Sequence, residues 1–146
     1  MNNPTFQPLP AFCLLLISIC LFLVIGHARA ADLQGLVLQV SEDDPKVWNL
    51  ALSVAETTKQ YATKPMAVTV VAFGPGLKML TMESTVANRL EKLGDMGVVF
   101  AACGMTMKKL KITEKDLYPH KNVKRVRGAV MEIGRMQKAG WTYIRP

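Results

Sequence analysis

The chain is poor in the residues from which most catalytic and metal sites are built. It has three cysteines and two histidines among 146 residues, and no two cysteines stand in a CxxC pair, which excludes a dithiol oxidoreductase. A GK[ST] phosphate loop and a full glycine fingerprint are both absent. Aromatic residues make up 7% of the chain and are not interleaved with the basic residues as in a base-stacking nucleic-acid surface. There is no internal repeat or low-complexity linker.

An N-terminal apolar run predicts an export signal. Residues 11–26 are almost wholly apolar, and Ala28 and Ala30 place small residues where a signal peptidase reads them. Residues 1–30 are therefore expected to be a cleaved leader, with residues 31–146 as one exported, periplasmic domain. The first ten residues contain no Lys or Arg, so an uncleaved anchor is the alternative, although 16 apolar residues is short of the roughly 20 that a membrane span needs.

Cleavage would leave a basic domain with a single cysteine. It would hold 17 basic and 11 acidic residues, a balance that favours anionic partners or surfaces but does not by itself indicate nucleic-acid binding. Cys13 and Cys20 would leave with the leader, so Cys103 could form no intramolecular disulfide. The remaining histidine, His120, lies in a charged loop and is a poor partner for a nucleophilic cysteine. One cysteine and one histidine cannot hold a structural zinc ion, and neither a metal nor a cofactor is predicted.

Apolar runs and helical spacings alternate along this domain. Strands are expected at 33–40, 66–73, 98–102, 122–126 and 141–145, the fourth at a sheet edge because it is strongly charged. Helices are expected at 45–61, 84–94, after residue 103, and at 129–139. This order predicts an α/β fold, a three-layer sandwich with a mostly parallel five-stranded sheet and helices on both faces.

Local signals mark the helix ends. Asp44 as N-cap and Pro45 at the first helical position begin the first helix, and Ser84 and Gly94 are expected to cap and close the second. The residues expected on the inward face of the first helix are Val47, Leu50, Ala51, Val54, Thr58 and Tyr61.

Cys103 comes at the end of the third apolar run, directly before a glycine and a helix start. Ligands and reactive groups collect at the carboxyl ends of strands in open α/β sheets. The free N–H groups of the helix start, and the many cations that follow, would favour a thiolate. Cys103 is therefore a candidate reactive cysteine. The alternative is a buried thiol that only fills space, as most free cysteines do.

Other candidate binding residues surround the expected strand ends. Gly104 would allow a close backbone approach, and Lys108 and Arg127 would bind anionic partners such as thiosulfate-like species. Gly74 and Gly76, around a proline, could also bring backbone close to a ligand, but they equally describe a plain tight turn. Asn49 lies in the first turn of the first helix, next to a strand end, and is a further candidate.

Five segments resemble DsrE/DsrF-like proteins: residues 39–46, 48–52, 72–80, 100–107 and 140–146, in that order. The resemblance implies a compact five-stranded α/β fold close to the flavodoxin arrangement, and assembly into trimers or hexamers. Better-studied members of the family act in sulfur relay, where one cysteine accepts sulfur as a persulfide and passes it to a partner protein. Cys103 is the position that carries over to this role. Those relatives work in the cytoplasm within multi-subunit sets, whereas this chain is expected to be exported.

Three functions follow from these readings. The first is a periplasmic sulfur carrier that forms a persulfide at Cys103, needs no cofactor, and meets donor and acceptor proteins. The second is a non-catalytic oligomeric protein in which Cys103 is structural and the strand-end cleft binds a small ligand or a partner. The third is a basic protein held on an anionic lipid or polymer surface. No nucleic-acid partner is expected. Membrane attachment is expected only if the leader remains uncleaved.

Overall fold

Five parallel strands form a central sheet with helices on both faces. The computed structural model describes residues 35–146, so the expected leader with Cys13 and Cys20, and the start of the first expected strand, lie outside the described residues. The strands are β1 Gly35–Val40, β2 Ala67–Ala72, β3 Val98–Cys103, β4 Val123–Val126 and β5 Thr142–Ile144. The helices are α1 Pro45–Tyr61, α2 Ala87–Asp95, α3 Gly104–Leu110 and α4 Ala129–Lys138, with 3₁₀ helices at Gly74–Leu80 and Glu114–Asp116.

The sheet confirms the expected fold class and differs from flavodoxin in strand order. Every strand pair is parallel, in the order β4-β3-β2-β1-β5, with the charged β4 at one edge as expected. The flavodoxin order is 2-1-3-4-5. Here β2 and β3 extend the sheet on one side of β1, and the chain then crosses back to add β5 on the other side. Right-handed crossovers in opposite directions put α1 and α2 on one face of the sheet and α4 on the other.

The two faces of the sheet have unequal cores. The larger core joins alternate residues of β1, β2 and β3 to α1, α2 and the first 3₁₀ helix, and Phe100 is its largest fully buried side chain. The smaller core lies under α4 and contains Val37, Val71, Ala101, Cys103, Ala129, Ile133 and Met136. Because side chains alternate along β3, Phe100 and Cys103 face opposite sides of the sheet. Cys103 therefore lies on the face that α4 covers.

Helix α1 begins as expected, but its buried face overlaps the expected one only in part, at Ala51 and the partly buried Val54. The Asp44 side chain accepts a hydrogen bond from the Lys46 N–H at 2.8 Å, and Pro45 is the first helical residue. The expectation that Leu50 and Tyr61 face inward is wrong, since they are 52% and 77% exposed. The buried residues of α1 are Trp48, Ala51, Leu52 and Ala55.

Helix α2 departs from the expectation at both ends. Its N-cap is Val86 rather than Ser84, whose hydroxyl accepts from the Val86 N–H at 3.4 Å just before the helix. Gly94 does not close the helix but lies within it, where the His120 ring packs so closely that a Cβ on Gly94 would fall 2.3 Å from a ring carbon. The residue that turns the chain is Gly97, with φ of +81°.

Candidate functional site

The Cys103 thiol lies at the carboxyl end of β3 and is 5% exposed. In the sheet register Cys103 stands beside Val126 of β4, and its Sγ accepts a hydrogen bond from the Ala129 N–H at an N···S distance of 3.4 Å. Ala129 is the first residue of α4, so the loop after β4 brings a backbone donor to the sulfur. The cysteine expected at a strand end is thus held between two neighbouring segments.

Hydrogen bonding makes Cys103 more acidic than an ordinary thiol. Burial raises the pKa of Cys103, but hydrogen bonds from the Thr106 hydroxyl and from the N–H groups of Thr106, Ala129 and Met105 outweigh it, and the pKa lies below its usual value. The lowering comes from these donors rather than from the cationic side chains that the sequence offered as a cause. A thiolate held by donors is the nucleophilic form of cysteine.

Thr106 is a site residue that the sequence reasoning missed. Its Oγ1 accepts a hydrogen bond from the Gly74 N–H at 3.0 Å, so the hydroxyl proton remains free to be donated to Cys103. The available signal was a hydroxyl residue three positions after the cysteine, at the start of a helix. Gly74, with φ of +54°, therefore acts on the site through Thr106.

Gly76 and Gly104 allow backbone segments of this chain to approach each other. A Cβ on Gly76 would fall 2.7 Å from the Val40 carbonyl oxygen, and the Gly76 N–H donates to the Ser41 carbonyl at 3.1 Å. A Cβ on Gly104 would fall 2.9 Å from both the Arg125 Nε and the Val126 carbonyl oxygen. The sequence suggested that these glycines let the backbone approach a ligand; what the structure shows at each is a close approach to a neighbouring strand end of the same chain.

A cationic groove opens beside Gly104. It has a volume of about 450 Å³ and is lined by Gly104, Met105, Lys108, Glu114, Arg125, Val126 and Arg127. Arg125 pairs with Glu114 at 3.6 Å, whereas Lys108 and Arg127 have no side-chain partner among the described residues. The groove therefore brings together three of the expected binding residues, Gly104, Lys108 and Arg127, and Gly104 directly follows Cys103 in the chain.

The structure does not bring Asn49 to this site. Its amide nitrogen donates to the Pro45 carbonyl at 2.8 Å, and its Oδ1 accepts from Arg89 of α2 at 2.8 Å. Arg89 also contacts Glu56 of α1 at 3.2 Å. The proposed binding role for Asn49 is replaced by a structural one, because its polar atoms join α1 to α2 on the face of the sheet opposite Cys103.

Three large apolar side chains in the first turns of α3 and α4 are exposed: Met105, Val130 and Met131, at 70%, 71% and 78%. We call them the apolar collar. A Cβ on Gly128 would lie 3.5 Å from the Met105 Sδ and 3.9 Å from the Met131 Cγ, so the two methionines flank the loop that leads to Ala129. The collar joins the cationic groove at Met105.

His120 takes part in a different cluster, with Glu91 and Asp95. The ligand atoms of these three residues lie within 4.8 Å of one another, which is compatible with a metal ion. Hydrogen bonds explain the arrangement of these residues without a metal ion. Nδ1 of His120 accepts from the Asn122 N–H at 3.0 Å, so in the neutral ring the proton is on Nε2. Nε2 lies 3.4 Å from the Asp95 carboxylate. A protonated Nε2 is no metal ligand, so the cluster supports no metal site.

Within residues 35–146, no helix has both the length and the apolar character needed to cross a membrane.

The fold and the site define the class of protein: a parallel α/β domain with a cysteine at the carboxyl end of a central strand, where hydrogen-bond donors hold its sulfur. Comparison with known proteins identifies the family. The model of the DsrE/DsrF-like family matches residues 35–146, and the chain belongs to that family. Similar solved structures include two that are described as proteins of unknown function. MTH1491 from Methanobacterium thermoautotrophicum is 30% identical with a TM-score of 0.72, covering 79% of this chain and 100% of that one.

The second structure, BT1422 from Bacteroides thetaiotaomicron, is 13% identical with a TM-score of 0.63, covering 77% of this chain and 95% of that one. At this identity the similarity shows the fold alone. No curated protein matches the chain.

Proposed function

We propose that Cys103 accepts sulfane sulfur as a persulfide and passes it to an acceptor thiol. The observation that carries this proposal is the set of donors at the sulfur. A thiol that only fills core volume needs no donors, and burial alone would raise its pKa. At Cys103 the Ala129 N–H and the Thr106 hydroxyl instead lower the pKa.

The chemistry requires only displacement at sulfur. In loading, the Cys103 thiolate attacks a sulfane sulfur bonded to a leaving group, the bond to that group breaks, and the group departs with the electron pair. In transfer, an acceptor thiol attacks the outer sulfur of the persulfide, and Cys103 regains its thiol as the acceptor becomes the persulfide. The Ala129 and Thr106 donors at Sγ would stabilise the thiolate that attacks in loading and the same thiolate when it is the leaving group in transfer.

The low exposure of Cys103 favours the second candidate, a non-catalytic binding protein. Cys103 is only 5% exposed, so little of it is open to a reagent in solution. The two candidates differ in one measurable property, since a structural thiol would neither take up sulfur nor react with small alkylating reagents in the folded protein.

Intact mass measurement after incubation with inorganic polysulfide tests the proposal. The full chain would carry Cys13→Ser and Cys20→Ser, so that Cys103 is its only thiol, and would be purified in mild detergent because of its apolar N-terminal run. We expect a gain of about 32 Da, one sulfur atom, that reductant reverses. The matched control adds Cys103→Ala and should gain nothing. A wild-type Cys103 that shows no gain, and is alkylated only after denaturation, would leave the binding protein as the better function.

We also propose that the domain self-associates and is exported. The exposed collar and the single helix that covers one face of the sheet support self-association, because large apolar side chains that cluster in solvent mark interaction surfaces. Light scattering of wild type and Met131→Glu would test self-association, with a lower mass expected for the variant.

The apolar run and Ala28-Arg29-Ala30 support export, and the N-terminus of the protein recovered from the periplasm should be Ala31.

A further inference from the structure

The cationic groove begins at Gly104, the residue that directly follows Cys103. Its wall on one side is α3, through Met105 and Lys108, and on the other the end of β4 with Arg127. A second hollow of about 570 Å³ shares Gly104, Lys108, Glu114 and Arg125 and continues towards Lys115. Both volumes fall within the range of small-molecule sites, about 300–1,000 Å³.

The groove carries cations that no carboxylate of the described residues neutralises. Among the described residues, Arg89, Arg125, Arg135 and Arg145 each pair with a carboxylate, and Arg127 does not. Lys108 is likewise without a partner. The only acid in the lining, Glu114, is engaged by Arg125. Two positive charges therefore remain uncompensated at the groove, which matches a small dianion.

We infer that the groove binds the oxyanion end of a thiosulfate-type donor, a sulfane sulfur bonded to a sulfonate; this inference rests on the proposed sulfur-carrier function. With the sulfonate between Lys108 and Arg127, the sulfane sulfur faces the strand end at Gly104. The Cys103 thiolate attacks that sulfur, and the bond between the two sulfur atoms of the donor breaks. Sulfite leaves with the electron pair, and Cys103 becomes a persulfide anion. The thiolate and the thiosulfate dianion become a persulfide anion and a sulfite dianion, so charges and electrons balance and no oxidant or reductant is needed.

The test compares three reagents on the chain whose only thiol is Cys103. Thiosulfate probes the groove, methyl methanethiosulfonate is an uncharged reagent that reports the reactivity of the thiolate, and polysulfide reports sulfur loading itself. The variant is Arg127→Gln, and the matched control is Lys138→Gln, which removes the same charge at the far end of α4. Rates come from intact mass, and sulfite release gives the stoichiometry with thiosulfate.

For wild type we expect one sulfite released per sulfur gained. For Arg127→Gln we expect the rate with thiosulfate to fall about tenfold, since charge-assisted hydrogen bonds are roughly twice as strong as neutral ones. Its rate with methyl methanethiosulfonate should change less than twofold, and Lys138→Gln should match wild type with both reagents. Loading from polysulfide without loading from thiosulfate would overturn the groove inference and leave the carrier function standing. Equal losses in Arg127→Gln and Lys138→Gln would also overturn it, and loading from no donor would overturn both.

Discussion

Gly76→Ala tests whether the glycine turn after β2 serves packing or ligand binding. The new Cβ would meet the Val40 carbonyl oxygen at 2.7 Å, and ordinary contact begins near 3.4 Å, so the 3₁₀ helix and the end of β1 would have to separate by about 0.7 Å. That shift would stretch the 3.1 Å hydrogen bond from Gly76 to Ser41 beyond bonding distance. Overpacking costs about 1–3 kcal/mol and the lost hydrogen bond about 1 kcal/mol.

Against this cost, replacing glycine restricts the unfolded chain and returns about 0.4–1 kcal/mol. We therefore expect Gly76→Ala to lower the free energy of unfolding by about 1–3 kcal/mol. Urea unfolding, followed by the fluorescence of Trp48, which is buried, measures this free energy.

The matched control is Gly134→Ala in the middle of α4, where nothing lies within 4 Å of the new Cβ. There the better helix propensity of alanine should raise stability by about 0.5–1 kcal/mol. An unchanged or increased stability of Gly76→Ala would refute the packing argument, and a stable variant that no longer loads sulfur would make Gly76 a ligand-binding residue.

Three further changes test the site and its scaffold. Thr106→Val should raise the pKa of Cys103, because the hydroxyl donor is lost and the Gly74 N–H loses its acceptor, while Thr106→Ser should keep the pKa low. The ultraviolet absorbance of the thiolate, followed against pH, measures the pKa of both variants. Equal titrations of the two variants would contradict the role of the hydroxyl. Because the pKa of Cys103 is lower in the folded than in the unfolded chain, the stability it adds is complete above the unfolded pKa, about 8.5, and is lost as pH falls through the folded pKa. The stability advantage of wild type over Cys103→Ser in urea unfolding should therefore grow as pH rises through that interval, and a constant difference would refute it. Asp44→Ala should cost about 1 kcal/mol through the lost cap of α1, whereas Asp44→Asn should retain most of the stability.

The elements that were predicted correctly depend on neighbours along the chain. Asp44 and Pro45 set the start of α1 through a bond that spans two residues. The strands were found because three short apolar runs, which became β1, β2 and β3, need a sheet covered on both faces to bury them, and the more polar β4 and β5 fit its edges. The ends of β2, β3, β4 and β5 fall within one residue of expectation for the same reason.

The predictions that were wrong concern contacts between distant segments. Gly94 has the local signature of a helix end, yet it lies within the helix, where its lack of a side chain leaves room for the ring of His120, 26 residues later in the chain. Leu50 fits an inward helical stripe as well as Leu52 does, and only the placement of α1 on the sheet decides which of them is buried. Periodicity ranks helix faces by hydrophobicity and carries no information about the surface that each face meets.

The site shows the same division between local and tertiary information. The sequence places Cys103 at a strand end, but the donors to its sulfur come from the start of α3, through Met105 and Thr106, and from the start of α4, through Ala129. A third segment, the turn after β2, contributes indirectly because the Gly74 N–H donates to the Thr106 hydroxyl oxygen. The lowered pKa therefore depends on the folded conformation that aims these donors at the sulfur, and not on the cations that follow Cys103 in the sequence. Denaturation removes all three contributions together, so the reactivity of Cys103 should follow the global unfolding transition. A thiol activated by sequence-local cations would instead keep much of its acidity in the unfolded chain, and the titration of Cys103 in urea separates the two causes.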